Sequence, residues 1–188
     1  VLAWRADRLT IEDFAVRSPQ GSARLGGVVT RVGTNEVELV VEGLDLGAFE
    51  GWIPDEVRGR VAGRAHLGGT LAAPRLDADL GVATPTLGGV RYDELRARVG
   101  VAAGRAAVQA RLAQAPTRVL DLDGAVPVRF TLEPWSLALT GDLTGRVRAN
   151  AVDLAFVGAL WPQLVTKVGG TLTADLELGG RWDAPEAR

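Results

Sequence analysis

The chain has 188 residues, 47% of them hydrophobic and 23% charged, which is the profile of a globular protein and excludes a disordered one. A formal net charge of -2 gives no general attraction to nucleic acid or anionic lipid, and the lack of cysteine excludes both a disulfide framework and a thiolate metal site. No run approaches the ~18 apolar residues of a membrane-spanning helix. The start at Val1 and the absence of methionine lead us to expect a piece of a longer protein.

Apolar side chains alternate with period two from the first residues onward, the spacing of strands with one buried and one wet face. Leu9 and Ile11, then Ala23, Leu25, Gly27 and Val29, then Val37, Leu39 and Val41 fall on one face of three opening strands, with Glu36, Glu38 and Glu42 opposite the last set. The period changes between Leu44 and Ile53, where Leu44, Ala48, Phe49, Trp52 and Ile53 share one helical stripe. Asp45 caps its start and Pro54 ends it, so a short amphipathic helix is expected over 45–53.

Strands then resume. Gly59, Val61, Gly63, Ala65 and Leu67 alternate with Arg58, Arg60, Ala62, Arg64 and His66, and Gly68-Gly69 is expected to turn the chain. Leu76, Ala78, Leu80 and Val82 follow, then a turn at Gly88-Gly89, then Leu95, Ala97, Val99, Val101 and Ala103 opposite Glu94, Arg96 and Arg98. Ala106, Val108, Ala110 and Leu112 continue the pattern, as do Val126, Val128, Phe130 and Leu132, then Leu137 and Leu139, then Val147, Ala149 and Ala151. Leu154, Val157, Leu160, Trp161 and Leu164 form a second helical stripe behind Asp153, giving a helix over 154–161. Leu172, Ala174, Leu176 and Leu178 close the series, facing away from Thr171, Thr173, Asp175 and Glu177.

The stretch from Leu44 to Leu80 has a second copy that begins near Val152. Asp45 matches Asp153 and Pro54 matches Pro162 at one spacing. After a short insertion Gly59 matches Gly170, Leu67 matches Leu178, Gly68-Gly69 match Gly179-Gly180, and Pro74 matches Pro185. A period of ~110 residues, each unit a short helix followed by strands, marks an array of stacked units. On that plan residues 1–43 end one repeat, 44–151 form a complete one and 152–188 begin the next.

Roughly a dozen strands at this density make an all-β, antiparallel architecture. Alanine and glycine fill many inward positions and aromatic residues are only 5%, so the apolar face is thinly filled. Two short helices cannot cover so many strands. Either the sheet closes on itself with a narrow core or it is elongated and curls into an open trough, and a long apolar trough suits acyl chains.

No arrangement of residues here carries catalysis or holds a metal, and no cofactor is expected. His66 is the only histidine and stands on the polar face, with no second histidine or cysteine to share a metal. Asp121-Leu122-Asp123-Gly124 resembles the opening of a calcium loop, but its glycine is misplaced and the twelfth position is Leu132. The pairs Asp77/Asp79 and Asp175/Glu177 share faces, as alternating strands routinely arrange on their solvated side. The arginine stripes Arg58-Arg60-Arg64, Arg96-Arg98 and Arg146-Arg148 lack interleaved aromatics and read as a solvated outer face, with no nucleic-acid partner.

A helix ending in proline (GWIP, ALWP), a glycine-led strand, a Gly-Gly pair and a proline five or six residues later resemble the repeats of the TamB and AsmA-like proteins of Gram-negative envelopes. The resemblance covers essentially the whole chain. It implies a long sheet bent into a U-shaped hydrophobic groove, the β-taco, in a periplasmic protein anchored in the inner membrane. It also implies phospholipid traffic in support of outer-membrane biogenesis, and an outer-membrane assembly factor as partner through parts of the parent absent from these residues. On this reading the chain is not an enzyme. Phospholipid acyl chains lie against Val61, Leu67, Leu76, Leu80, Val82, Leu95, Val99, Val101, Val108, Leu112, Phe130, Leu139, Leu172, Leu176 and Leu178. The alternative is a structural or adhesive extracellular β-array with a closed, narrow core and no lipid cargo.

Overall fold

The computed structural model describes residues 2–5, 7–49, 57–160 and 169–188. The period-two alternation becomes one antiparallel sheet of 14 strands that is not closed into a barrel. The strands are β1 (Leu2–Arg5), β2 (Arg8–Ser18), β3 (Gly21–Thr30), β4 (Asn35–Asp45), β5 (Val57–Gly69), β6 (Pro74–Leu87) and β7 (Val90–Arg91). They continue with β8 (Glu94–Ala102), β9 (Arg105–Ala115), β10 (Arg118–Leu132), β11 (Trp135–Leu139), β12 (Thr144–Asp153), β13 (Thr171–Arg181) and β14 (Ala184–Ala187). Neighbours in the sheet are neighbours in the chain, except that β7 pairs only with β6 and β11 only with β10.

Register keeps the two faces distinct across the whole sheet, because a slip of one residue would turn every apolar side chain to water. One row runs Val61, Val82, Leu95, Leu112, Leu120, Ala149, Ala174 from β5 to β13. The next runs Gly63, Leu80, Ala97, Ala110, Leu122, Val147, Leu176. A third begins further toward the N-terminus, as Phe14, Leu25, Leu39, Ala65, Ala78, Val99, Val108, Gly124, Gly145, Leu178.

The largest buried cluster is small and sits at one end of the strands, with Val101 and Val128 buried toward the other. Leu87, Tyr92, Leu112, Val152 and Phe156 form it, with Val57, Val90, Leu95, Leu120, Leu154 and Val157 packed around them. Among the described residues a single α-helix, α1 (Ala155–Leu160), follows β12 and brings Phe156 into this cluster. The expected helix over 45–53 is a four-residue 3-10 turn, Leu46–Phe49, and the rest of that expectation, including Trp52 and Ile53, lies outside the described residues, as does Trp161. Among the described residues the helix expected over 154–161 is α1, while the expectation over 45–53 is described only as far as the 3-10 turn. Asp45 Oδ1 accepts from the Gly47 N–H at 2.9 Å, a tight local cap at the start of the 3-10 turn. Asp153 Oδ1 caps Ala155 N–H at the same distance.

Two turn assignments differ from expectation. Gly68-Gly69 stays within β5, and residues 70–73 make the turn; Gly69 sits opposite Pro74 with φ +82°, where a Cβ would lie 2.5 Å from the Ala73 carbonyl oxygen. Gly180 opposes Pro185 in the same way in the second copy. Ala103, expected in a strand, forms a two-residue turn with Gly104, both at positive φ, which lets β8 and β9 keep their right-handed twist. Gly88-Gly89 makes the corresponding turn between β6 and β7, as its sequence indicates.

Both ends of the strands bring together elements that β8 and β9 separate in the sheet. At one end the Tyr92 hydroxyl donates to the Asp153 carbonyl at 2.9 Å, and a Cβ on Gly88 would stand 2.5 Å from the Ala155 carbonyl oxygen. At the other, the Leu132 N–H donates to the Leu71 carbonyl at 2.8 Å, and Arg31 lies 3.8 Å from Glu133.

Candidate functional site: the apolar face

The registered rows place the sequence-predicted contacts on one face. Val61, Val82, Leu95 and Leu112 adjoin across β5, β6, β8 and β9; Leu67, Leu76 and Val101 form a parallel line, and Val99 stands opposite Val108. Leu80 lies between Gly63 and Ala97, where its small neighbours leave it 37% exposed. Leu176 opposes Val147, Leu178 opposes Gly145, and Leu172 opposes Val152. Phe130 and Leu139 belong to the β10–β11 hairpin, where Phe130 packs edge-on against Trp135 with ring centroids 5.7 Å apart.

Accessibility divides this set. Leu112 lies inside the core cluster, and Val82 and Val101 are buried beside it or at the other end of the strands. Leu39, Leu80 and Leu139 remain open to solvent, with Leu137 and Trp135 more so. The face thus combines a sealed end, around Tyr92, with a stretch where Leu, Val, Ala and Gly side chains meet solvent.

The residues that seal the end were not legible as a group. Tyr92 is fully buried and its phenol is pushed up to about 12, chiefly because burial disfavours the anion, with Asp153 adding a like-charge effect. Asp153 holds three connections at once: its carbonyl accepts from Tyr92, its N–H donates to Gln114 Oε1 at 3.2 Å, and its carboxylate caps α1. At the opposite end Asn35, also fully buried, accepts from Thr30 N–H at 2.7 Å and donates to the Gly69 carbonyl at 3.0 Å. The only sequence signal for Tyr92 is its uniqueness, and for Asn35 its place after a Gly-Thr turn.

The other face is charged, and several recesses lie along it. One of about 730 Å³ is lined by Asp79, Arg96, Arg98, Arg111, Asp121 and Arg148 among others, and a second of about 580 Å³ by His66, Asp77 and Arg105 among others. Its charges are used between strands: Arg98 donates to Asp79 at 2.9 Å, Arg111 to Asp121 at 2.9 Å, and Arg146 grips both oxygens of Asp175. The Arg146 hydrogen bonds hold the Asp175 carboxyl below its ordinary range. His66 Nε2 meets Glu36, and Asp123 accepts from Gln109 at 2.8 Å, mid-strand. These side chains are largely exposed, so each pair adds little stability and the face as a whole supplies register.

No protein-family model, no curated protein and no solved structure matches the chain.

Proposed function

We propose that the chain is part of a periplasm-spanning, inner-membrane-anchored envelope protein of the TamB and AsmA-like kind. Its apolar face forms a U-shaped groove that carries phospholipid acyl chains toward the outer membrane, and an outer-membrane assembly factor contacts parts of the parent beyond these residues. No bond is made or broken. The observation that carries this reading is the unfilled apolar face: its rows extend across the sheet in register, yet Leu80 and Leu39 stay 37% and 36% exposed. The chain exposes 11933 Å² in all, well above the ~8,600 Å² of a compact protein of this mass. Tyr92 reaches the Asp153 carbonyl over Leu95, Leu112 and Leu120, which supports a bend toward the apolar side at that end of the strands.

The test is lipid retention. Leu80→Arg and Leu178→Arg place a guanidinium where it can still reach water from an open groove, so both variants are expected to keep their β-sheet circular dichroism and lose co-purifying phospholipid. Val101→Arg is the contrast, because that site is only 7% exposed and a buried unpaired charge unfolds the sheet end. Outer-face Arg96→Glu leaves lipid binding unchanged. Wild-type protein that carries no lipid from a phospholipid-rich extract sinks the reading.

The sealed cluster of Leu87, Tyr92, Val152 and Phe156 favours a second reading, a structural β-array with a narrow core. That reading expects Leu80→Arg to unfold the protein and no lipid to be found.

A further inference from the structure

Opposite signs meet across the charged face in every strand pairing from β4 to β13 but one. Among the described residues, directly opposed ionisable side chains there join a basic residue to an acidic one, as Arg64 to Asp79, Asp79 to Arg98, Asp121 to Arg148 and Arg148 to Asp175. The exception is Arg96 of β8, which stands opposite Arg111 of β9. Like charges in this position destabilise a sheet. An anion held between the two guanidiniums turns that repulsion into attraction.

We infer that Arg96 and Arg111 form the centre of a phosphoryl-binding site in the recess of about 730 Å³. Five arginines and three aspartates line that recess, an excess of two positive charges on a chain whose net charge is -2. Glu94 accepts from Arg96 Nε at 2.6 Å, and Asp121 accepts from Arg111 Nη1 at 2.9 Å. Both Nη atoms of Arg96, with Nε and Nη2 of Arg111, therefore keep their donors free of protein partners among the described residues. Directly opposed side chains start ~5 Å apart, which lets two planar forks close on one tetrahedral anion. A phosphoryl group offers oxygens to both forks and enough charge for both, whereas a carboxylate satisfies one.

The surroundings leave room for such a ligand. Arg148 adds a cation further along the same row: it lies 4.0 Å from Asp175, whose two oxygens Arg146 already holds. On the other side of Arg96 the row continues with Gly81 and then Ala62. A Cβ on Gly81 would come no closer than 3.9 Å to the Ala62 carbonyl oxygen, so no long side chain fills that side of the recess. The site is on the face opposite Leu80 and Leu95, and it is independent of the acyl-chain reading.

Titration calorimetry of the 188-residue chain with inorganic phosphate at low ionic strength is expected to show one site with a dissociation constant of ~1 mM. Saturating phosphate should also raise the Tm. Arg96→Gln and Arg111→Gln should each weaken binding by about tenfold or more, as loss of a charge-assisted hydrogen bond does. Without phosphate both should melt close to wild type, because each loses an exposed ion pair and a repulsion together. Gly81→Glu gives Arg96 an acidic partner and should weaken binding too. Arg75→Gln makes the same change in net charge outside the recess and should leave the affinity unchanged. Glycerol 3-phosphate in solution and vesicles containing phosphatidic acid separate the two sources of the group. A site for soluble phosphate esters takes the first alone, and one for headgroups also retains the vesicles and loses them with Arg96→Gln. Absence of saturable phosphate binding, an equal gain in Tm from chloride at the same ionic strength, or Arg75→Gln as weak as Arg96→Gln overturns the site.

Discussion

Tyr92 is the only tyrosine in the chain, so its ionisation can be followed without interference from another phenol. Its folded pKa of about 12 lies above the ordinary value of 10, which means that the folded state holds the proton more tightly than the unfolded one. Stability from this source is complete below pH 10 and is lost as pH rises toward 12. The tyrosinate absorbance band should therefore be absent near pH 10 in the native protein and appear there on adding denaturant. Tyr92→Phe removes the hydrogen bond to the Asp153 carbonyl and should lower stability by ~1 kcal/mol in urea titration, with this contribution to the alkaline decline abolished. If native protein shows the tyrosinate band at its ordinary pH, Tyr92 is not sealed in the core.

At the scale of elements, the α1 end depends on two local devices that the sequence carries in advance. The Asp153 carboxylate caps the first turn, and Gly88 allows α1 to approach the β6–β7 turn at a distance that no Cβ permits. Gly88 also has φ +58°, so an alanine there meets both a steric and a backbone penalty. Gly88→Ala is expected to cost on the order of 1–3 kcal/mol, whereas Gly89→Ala, with open space around its Cβ, should cost only the backbone part. Chemical denaturation of the two variants makes the comparison. Equal losses would mean that the contact between Gly88 and Ala155 contributes nothing.

For the whole molecule, an open sheet with one small core differs measurably from a compact domain. A globular chain of this length has a radius of gyration of ~16 Å. The large exposed area predicts a clearly greater value by small-angle scattering, extrapolated to zero concentration. A radius at the globular value would favour the closed, structural array.

Most strands were legible from the chain alone, because a side-chain period of two is a local property and β5, β6, β8 and β9 carry their apolar sets at alternate positions; the first half of β10, and β7 and β14, were not read. The Asp45 and Asp153 caps and the Gly88-Gly89 turn were legible for the same reason, since each acts over two or three residues. Alternation carried Ala103 one residue too far, because the same apolar residue fits a strand or a turn and only the partner strand decides. Much of the candidate face followed from parity, but its accessibility did not. Leu80 and Leu112 have the same local pattern, yet one stands exposed beside Gly63 and Ala97 while the other is packed under Tyr92 and Phe156. That difference arises from contacts between β6 and the end of β12, far apart in sequence and brought together only when the sheet bends. Sequence by itself determined which residues share a face; the tertiary structure decided which of them meet solvent, because burial depends on what arrives from elsewhere in the chain.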